Sequence, residues 1–125
     1  MRKFAVLAST LMTLAGLQLP AMPVSAVTPA VTAQGGQTCT IVGTAGNDVL
    51  NGSAGNDVIC GLGGNDTING QGGSDVIDAG AGNDTVNGGA GDDSIYGGAG
   101  NDNLNGGTGN DTILGGAGND IDNGS

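Results

Sequence analysis

From Gly43 to Asn123 the sequence divides into nine consecutive nonapeptides with no insertion or deletion, from Gly43-Thr44-Ala45-Gly46-Asn47-Asp48-Val49-Leu50-Asn51 onward. The fourth position is Gly in every unit: Gly46, Gly55, Gly64, Gly73, Gly82, Gly91, Gly100, Gly109 and Gly118. The sixth is always Asp: Asp48, Asp57, Asp66, Asp75, Asp84, Asp93, Asp102, Asp111 and Asp120. The eighth is aliphatic in all but the last unit (Leu50, Ile59, Ile68, Ile77, Val86, Ile95, Leu104, Ile113), where Asp122 takes its place. A fixed period of this kind is the mark of a solenoid, in which each unit is one small structural element stacked on its neighbours.

Each nonapeptide reads as a turn of six residues followed by a strand of three. Glycine supplies the positive φ that tight turns demand, and β-branched residues favour the pleat. The middle strand residue points inward and its neighbours, positions seven and nine, point to water. Nine residues cannot close a coil, so two units form one 18-residue turn, and strands of units n and n+2 stack about 4.8 Å apart. The expected fold class is all-β, a parallel β-roll (β-solenoid) of nine repeats, two per coil. A Gly/Asn/Asp-rich segment without register would be a flexible linker. Here the unbroken register argues against that.

Composition narrows the function. The chain of 125 residues has 28 Gly, one Phe, one Tyr and no Trp, too little for a conventional core. Arg2 and Lys3 are the only cations, there is no His or Glu, and all twelve acidic groups are Asp. Such a surface repels nucleic acid and anionic lipid and attracts small hard cations. Ser53 and Ser94 have no imidazole or amine to take a proton, and the Asp residues sit in near-identical contexts rather than as an unlike acid/base pair. An enzyme is therefore not expected. The run Asn101-Asp102-Asn103-Leu104-Asn105-Gly106 superficially opens like an EF-hand loop, but Thr112 stands where the bidentate Glu belongs.

These units resemble the repeats-in-toxin (RTX), haemolysin-type calcium-binding nonapeptide family, with the motif Gly-Gly-x-Gly-x-Asp-x-aliphatic-x. The resemblance spans 43–123. Departures are Ala79 at the first position of unit five, and Thr44, Ser53, Leu62 and Gln71 at the second position of units one to four. It implies a Ca2+ ion between stacked turns, held by the sixth-position Asp of both units and by backbone carbonyls near positions one to four. Those are Gly43, Gly52, Gly61, Gly70, Gly88, Gly97 and Gly106 at position one, and Gly46, Gly55, Gly64, Gly73, Gly82, Gly91, Gly100 and Gly109 at position four. Nine repeats paired n with n+2 then offer seven such gaps. Eight inward aliphatics cannot offset the ordering of so long a repeat region, so the metal is expected to decide folding.

The N-terminus reads as an address. Arg2-Lys3, an apolar run from Phe4 to Leu19, and the small residues Val24-Ser25-Ala26 form a secretory signal peptide over 1–26, cleaved after Ala26 or, as an alternative, after Ala33. The run is shorter than the roughly 20 residues of a membrane span, so no membrane insertion is expected. Residues 27–42 are then a linker and N-terminal cap, and 43–123 the roll. An oxidising exterior lets the only two cysteines, Cys39 and Cys60, pair. A perfectly regular roll places them too far apart, so the preceding segment has to bend. Asp78, Asp92, Asp122 and Tyr96 are expected as exposed surface residues. The functional expectation is a secreted, extracellular, monomeric Ca2+-binding structural or interaction module. The alternatives are a plain calcium buffer and, further off, an ice-binding or adhesin-type module.

Overall fold

The computed structural model describes residues 30–124; the signal-peptide assignment lies outside them. Ten strands follow in order: β1 (Ile41–Val42), β2 (Val49–Asn51), β3 (Val58–Cys60), β4 (Thr67–Gly72), β5 (Val76–Ala81), β6 (Thr85–Ala90), β7 (Ser94–Ala99), β8 (Asn103–Thr108), β9 (Thr112–Ala117) and β10 (Ile121–Asn123). They form two five-stranded sheets, ordered β1-β3-β5-β7-β9 and β10-β8-β6-β4-β2, with every pairing parallel. The register advances by one 18-residue coil, as in Ile59 opposite Ile77 and Ile68 opposite Val86. This is the parallel β-roll expected from the period, with even-numbered repeats on one sheet and odd-numbered repeats on the other.

The eighth-position side chains face each other between the sheets. Ile59, Ile68, Ile77, Val86, Ile95 and Leu104 are buried, with Ile41, Leu50 and Ile113 partly buried at the ends. Single inward columns of branched side chains explain how so aliphatic-poor a chain keeps a core: every coil adds two, and each is stacked on its own kind.

Two features depart from expectation. Strands β4 to β9 run six residues rather than three, because backbone pairing continues through positions two and three of the following unit, as in Gly80 opposite Gly98 and Ala81 opposite Ala99. The turn proper shrinks to positions four to six. The second departure is that one outer face is not in water. Residues before β1 fold back through an antiparallel bridge between Thr32 and Thr38, and Ala33, Cys39 and Cys60 bury together against Val31, Val58 and Val76. Cys39 and Cys60 are disulfide-bonded, with Cα atoms 5.9 Å apart. The fold-back supplies the bend that their spacing requires. Asp78, expected in solvent, is half-buried and accepts a hydrogen bond from the Gln34 backbone N–H at 2.7 Å. Tyr96 is likewise half-buried, near Gly35 of the same fold-back. Asp92 and Asp122 are exposed as expected.

Candidate calcium-binding turns

Position six turns the carboxylates inward. Asp66, Asp75, Asp84, Asp93 and Asp102 are each no more than 2 % exposed, an unusual concentration of buried carboxylates with no cation among the described residues beside them. One oxygen of each is accounted for. Oδ1 accepts the backbone N–H of the Asp one coil earlier: Asp48 to Asp66 at 2.8 Å, Asp66 to Asp84 at 2.7 Å, Asp84 to Asp102 at 2.9 Å, with Asp57, Asp75 and Asp93 doing the same on the other edge. These bonds string the carboxylates into two columns, one along each edge of the roll.

The other oxygen is the informative one. Oδ2 of Asp66, Asp75, Asp84, Asp93, Asp102 and Asp111 is buried and has no hydrogen-bond partner. A buried carboxylate oxygen without a donor costs several kcal/mol of lost hydration. Its surroundings add to the cost. At Gly97 an added Cβ would lie 2.5 Å from both Asp102 Oδ2 and the carbonyl oxygen of Gly115 in the next coil. The equivalent pairing joins Asp75 with Gly88 and Asp93 with Gly106. A carboxylate oxygen of unit n and the first-position carbonyl of unit n+2 thus converge beside a glycine that has no room for a side chain. Two electron-rich oxygens brought close with no donor between them are the arrangement that a cation would relieve. Burial accordingly raises the carboxyl pKa of Asp66, Asp75, Asp93 and Asp102 above the ordinary value, and that of Asp84 to about 6, against the lowering pull of the backbone N–H that each accepts; neighbouring carboxylates add to the rise.

The donor set decides which cation fits. Among the described residues no three Cys, His or acidic side chains gather as a transition-metal cage requires. The converging atoms are a carboxylate oxygen and a backbone carbonyl, both hard oxygen donors of the kind that Ca2+, with its six to eight flexible oxygen ligands, prefers. A family model for the RTX calcium-binding nonapeptide repeat matches four overlapping times, at residues 40–68, 61–95, 69–104 and 96–121. The chain belongs to the RTX calcium-binding nonapeptide repeat family. No characterised protein and no solved structure matches it. RTX repeats bind Ca2+, and the partnerless oxygens fit that ion.

The sixth-position Asp residues expected as ligands do not stand alike in the RTX roll. Those of units three to seven are buried between coils, whereas Asp48, Asp57, Asp111 and Asp120 are half-buried towards its ends. The fourth-position glycines of units three to nine take the positive φ expected of them, from +94° at Gly64 to +141° at Gly118, while Gly46 and Gly55 do not. Three contributors went unnoticed in the sequence. Position five carries a second ladder, running in the opposite direction: Asn47 Oδ1 accepts the Asn65 N–H at 2.7 Å, and Asn65 Oδ1 accepts that of Asn83 at 2.9 Å. Its signal was the Asn recurring before the invariant Asp. The ninth-position Asn69, Asn87 and Asn105 form a side-chain amide ladder on one outer face. Finally, the hydroxyls of Thr44 and Ser53 bond within their own turns, a local Ser/Thr arrangement foreshadowed by a hydroxyl residue four places before Asp.

Proposed function

We propose that this chain is an exported, Ca2+-dependent structural module: a repeat region that stays unfolded at low calcium and assembles into the roll on meeting extracellular calcium. The observation that carries the reading is the set of buried Oδ2 atoms without partners. The calcium-free roll has to hold these charges away from water, stacked one coil apart with like charges above and below, and nothing else among the described residues neutralises them. Calcium, when bound, supplies that neutralising charge and links one coil to the next. Each Asp contributes Oδ2 to its gap while its Oδ1 keeps the previous coil in register, and the first-position carbonyl of the following coil completes the approach. The family resemblance implies the same role for Asp48, Asp57, Asp111 and Asp120 and for the glycine carbonyls at positions one and four; of these carboxylates, Asp48 and Asp57 already accept hydrogen bonds at Oδ2.

Export is the second half of the reading. It rests on the signal-peptide pattern of residues 1–26 and on the Cys39–Cys60 disulfide, which an oxidising compartment favours. Val31 and Ala33 pack into the fold-back beneath the disulfide, which favours removal of the leader after Ala26 over Ala33. On this reading 27–42 is the N-terminal cap and 43–123 the calcium-binding roll.

Far-UV circular dichroism of the chain from Val27 onward, titrated with calcium and separately with magnesium, is the test. The expected result is a coil spectrum turning to β with calcium alone, since magnesium demands a rigid octahedron and gives up its waters reluctantly. Full β-structure in calcium-free buffer at neutral pH, or no response to calcium, sinks the reading.

A further inference from the structure

Seven gaps lie between stacked turns, but the structure closes two of them with the protein's own side chains. In unit one the Thr44 backbone N–H and hydroxyl donate to Asp48 Oδ2 at 2.6 and 2.9 Å, and the Gly46 N–H donates to Thr44 Oγ1 at 3.1 Å. Unit two repeats the arrangement with Ser53, Asp57 and Gly55 at 2.6, 3.0 and 3.1 Å. The oxygen that lacks a partner from Asp66 to Asp111 is thus doubly satisfied at Asp48 and Asp57. The backbone follows suit. Position two has positive φ from Leu62 (+78°) and Gln71 (+79°) through Gly116 (+102°), whereas Thr44 and Ser53 do not.

A second, independent contact closes the gap between units two and four. Gln71 Nε2 donates to the Gly52 carbonyl at 2.8 Å, a side-chain tie from unit four to unit two at one of the carbonyls that the family resemblance implies as ligands. Gly52 is also where an added Cβ would meet both Asp57 Oδ2 at 2.8 Å and the Gly70 carbonyl at 2.5 Å, so this gap has the same build as those above it. It differs in who fills it.

We infer that the first two turns are calcium-free caps, in which Thr44, Ser53 and Gln71 do with hydroxyl and amide protons what the ion does elsewhere, and that the roll takes up five ions rather than seven. The five gaps are those holding Oδ2 of Asp66, Asp75, Asp84, Asp93 and Asp102. Asp111 also has a partnerless Oδ2, but among the described residues the three atoms nearest an added Cβ at Gly106 all belong to Asp111, where at Gly97 the Gly115 carbonyl is one of them. Its site is half-built. The departures from the Gly-Gly motif at positions 44, 53 and 71 are, on this account, specificity determinants. They give the roll one end that is closed without metal and on which the metal-dependent coils stack. The inference rests on the calcium reading above, yet the two can fail separately.

The test is the number of ions bound by the chain from Val27 onward at about 1 mM free calcium, by equilibrium dialysis with metal analysis, beside the triple variant Thr44→Gly/Ser53→Gly/Gln71→Gly. Five ions are expected for the unaltered chain and seven for the variant, whose first two turns regain the plain motif. No bound calcium at all would overturn the functional reading. More than five ions on the unaltered chain overturns the cap inference alone, and so does a folded variant that binds no more than the unaltered chain. Should the variant not fold, the count on the unaltered chain still decides.

Discussion

A single Asp in this roll has two different oxygens, and the difference sets how the molecule answers to pH. Oδ1 accepts a backbone N–H, and Oδ2 has no donor at Asp66, Asp75, Asp84, Asp93 and Asp102. Burial raises these five pKa values in the folded state, to about 6 at Asp84. A carboxyl whose pKa rises on folding stabilises the fold when protonated. That contribution is complete below the unfolded value near 3.8 and fades as pH climbs through the folded value, about 6 for Asp84. On the proposed calcium reading, protons and calcium compete for the same oxygens. The calcium-free chain should be least ordered at neutral pH and should gain β-structure on acidification to about pH 4.5, while the calcium concentration at half-saturation should increase as pH falls from 7.5 to 5.5. Circular dichroism of metal-stripped protein across that range, with a calcium titration at each end, checks both signs. A calcium-free chain that is most ordered at pH 7.5 would be incompatible with buried, partnerless carboxylates.

At the scale of elements, the strands were legible and the segment that covers them was not. Alternation around Ile59, Ile77 and Ile95 fixes which side of each strand is inward, and the 18-residue coil follows from the two-unit closure. What the period could not reveal lies outside it. Nothing in the composition of residues 30–40 announces a fold-back across Val58, Cys60 and Val76, because one isolated bridge between Thr32 and Thr38 leaves no alternating pattern to read. The glycines were legible as glycines but not always for the right reason: Gly97 has no positive φ and is small because Asp102 and Gly115 crowd it. At Thr44 and Ser53 the sequence shows a departure from the motif, which reveals the loss of the usual residue but not the bond that replaces it. The disulfide is the covalent tie between fold-back and roll. With Cys39 and Cys60 separated by 21 positions in sequence, closing that loop disfavours the unfolded chain by about 3 kcal/mol on the chain-entropy account. Reduction of the calcium-loaded protein should lower its Tm by on the order of 10 °C, read by thermal circular dichroism with and without reductant. A Tm unmoved by confirmed reduction would mean that the fold-back is held by its packing alone.

For the whole molecule, the proposed calcium-dependent folding makes charge and shape follow one quantity, the number of coils joined by metal. Beyond residue 3 the chain carries twelve carboxylates and no cationic side chain. Self-repulsion of that kind expands an unfolded chain, and the thin central column of aliphatics cannot overcome it unaided. Five Ca2+ ions would leave a net charge near −2, so loading removes most of the repulsion in the same step that ties coil to coil. Each site at tenfold excess calcium over its dissociation constant adds about 1.4 kcal/mol, on the order of 7 kcal/mol for five, comparable with the whole stability of a small domain. If each ion bridges neighbouring coils as proposed, sites formed early would order the turn that the next site needs, and the closed turns of Thr44 and Ser53 would give that sequence a starting end. Folding should therefore be cooperative in calcium and accompanied by a large change in size. A chain of this length has a radius of gyration of about 30 Å unfolded and about 13 Å compact, somewhat more for an elongated roll. Small-angle scattering through a calcium titration is expected to show that contraction over a narrow range of calcium, with two species and no graded intermediate sizes. A gradual contraction proportional to calcium bound would instead mean that each coil closes on its own, and that the capped end does not seed the rest.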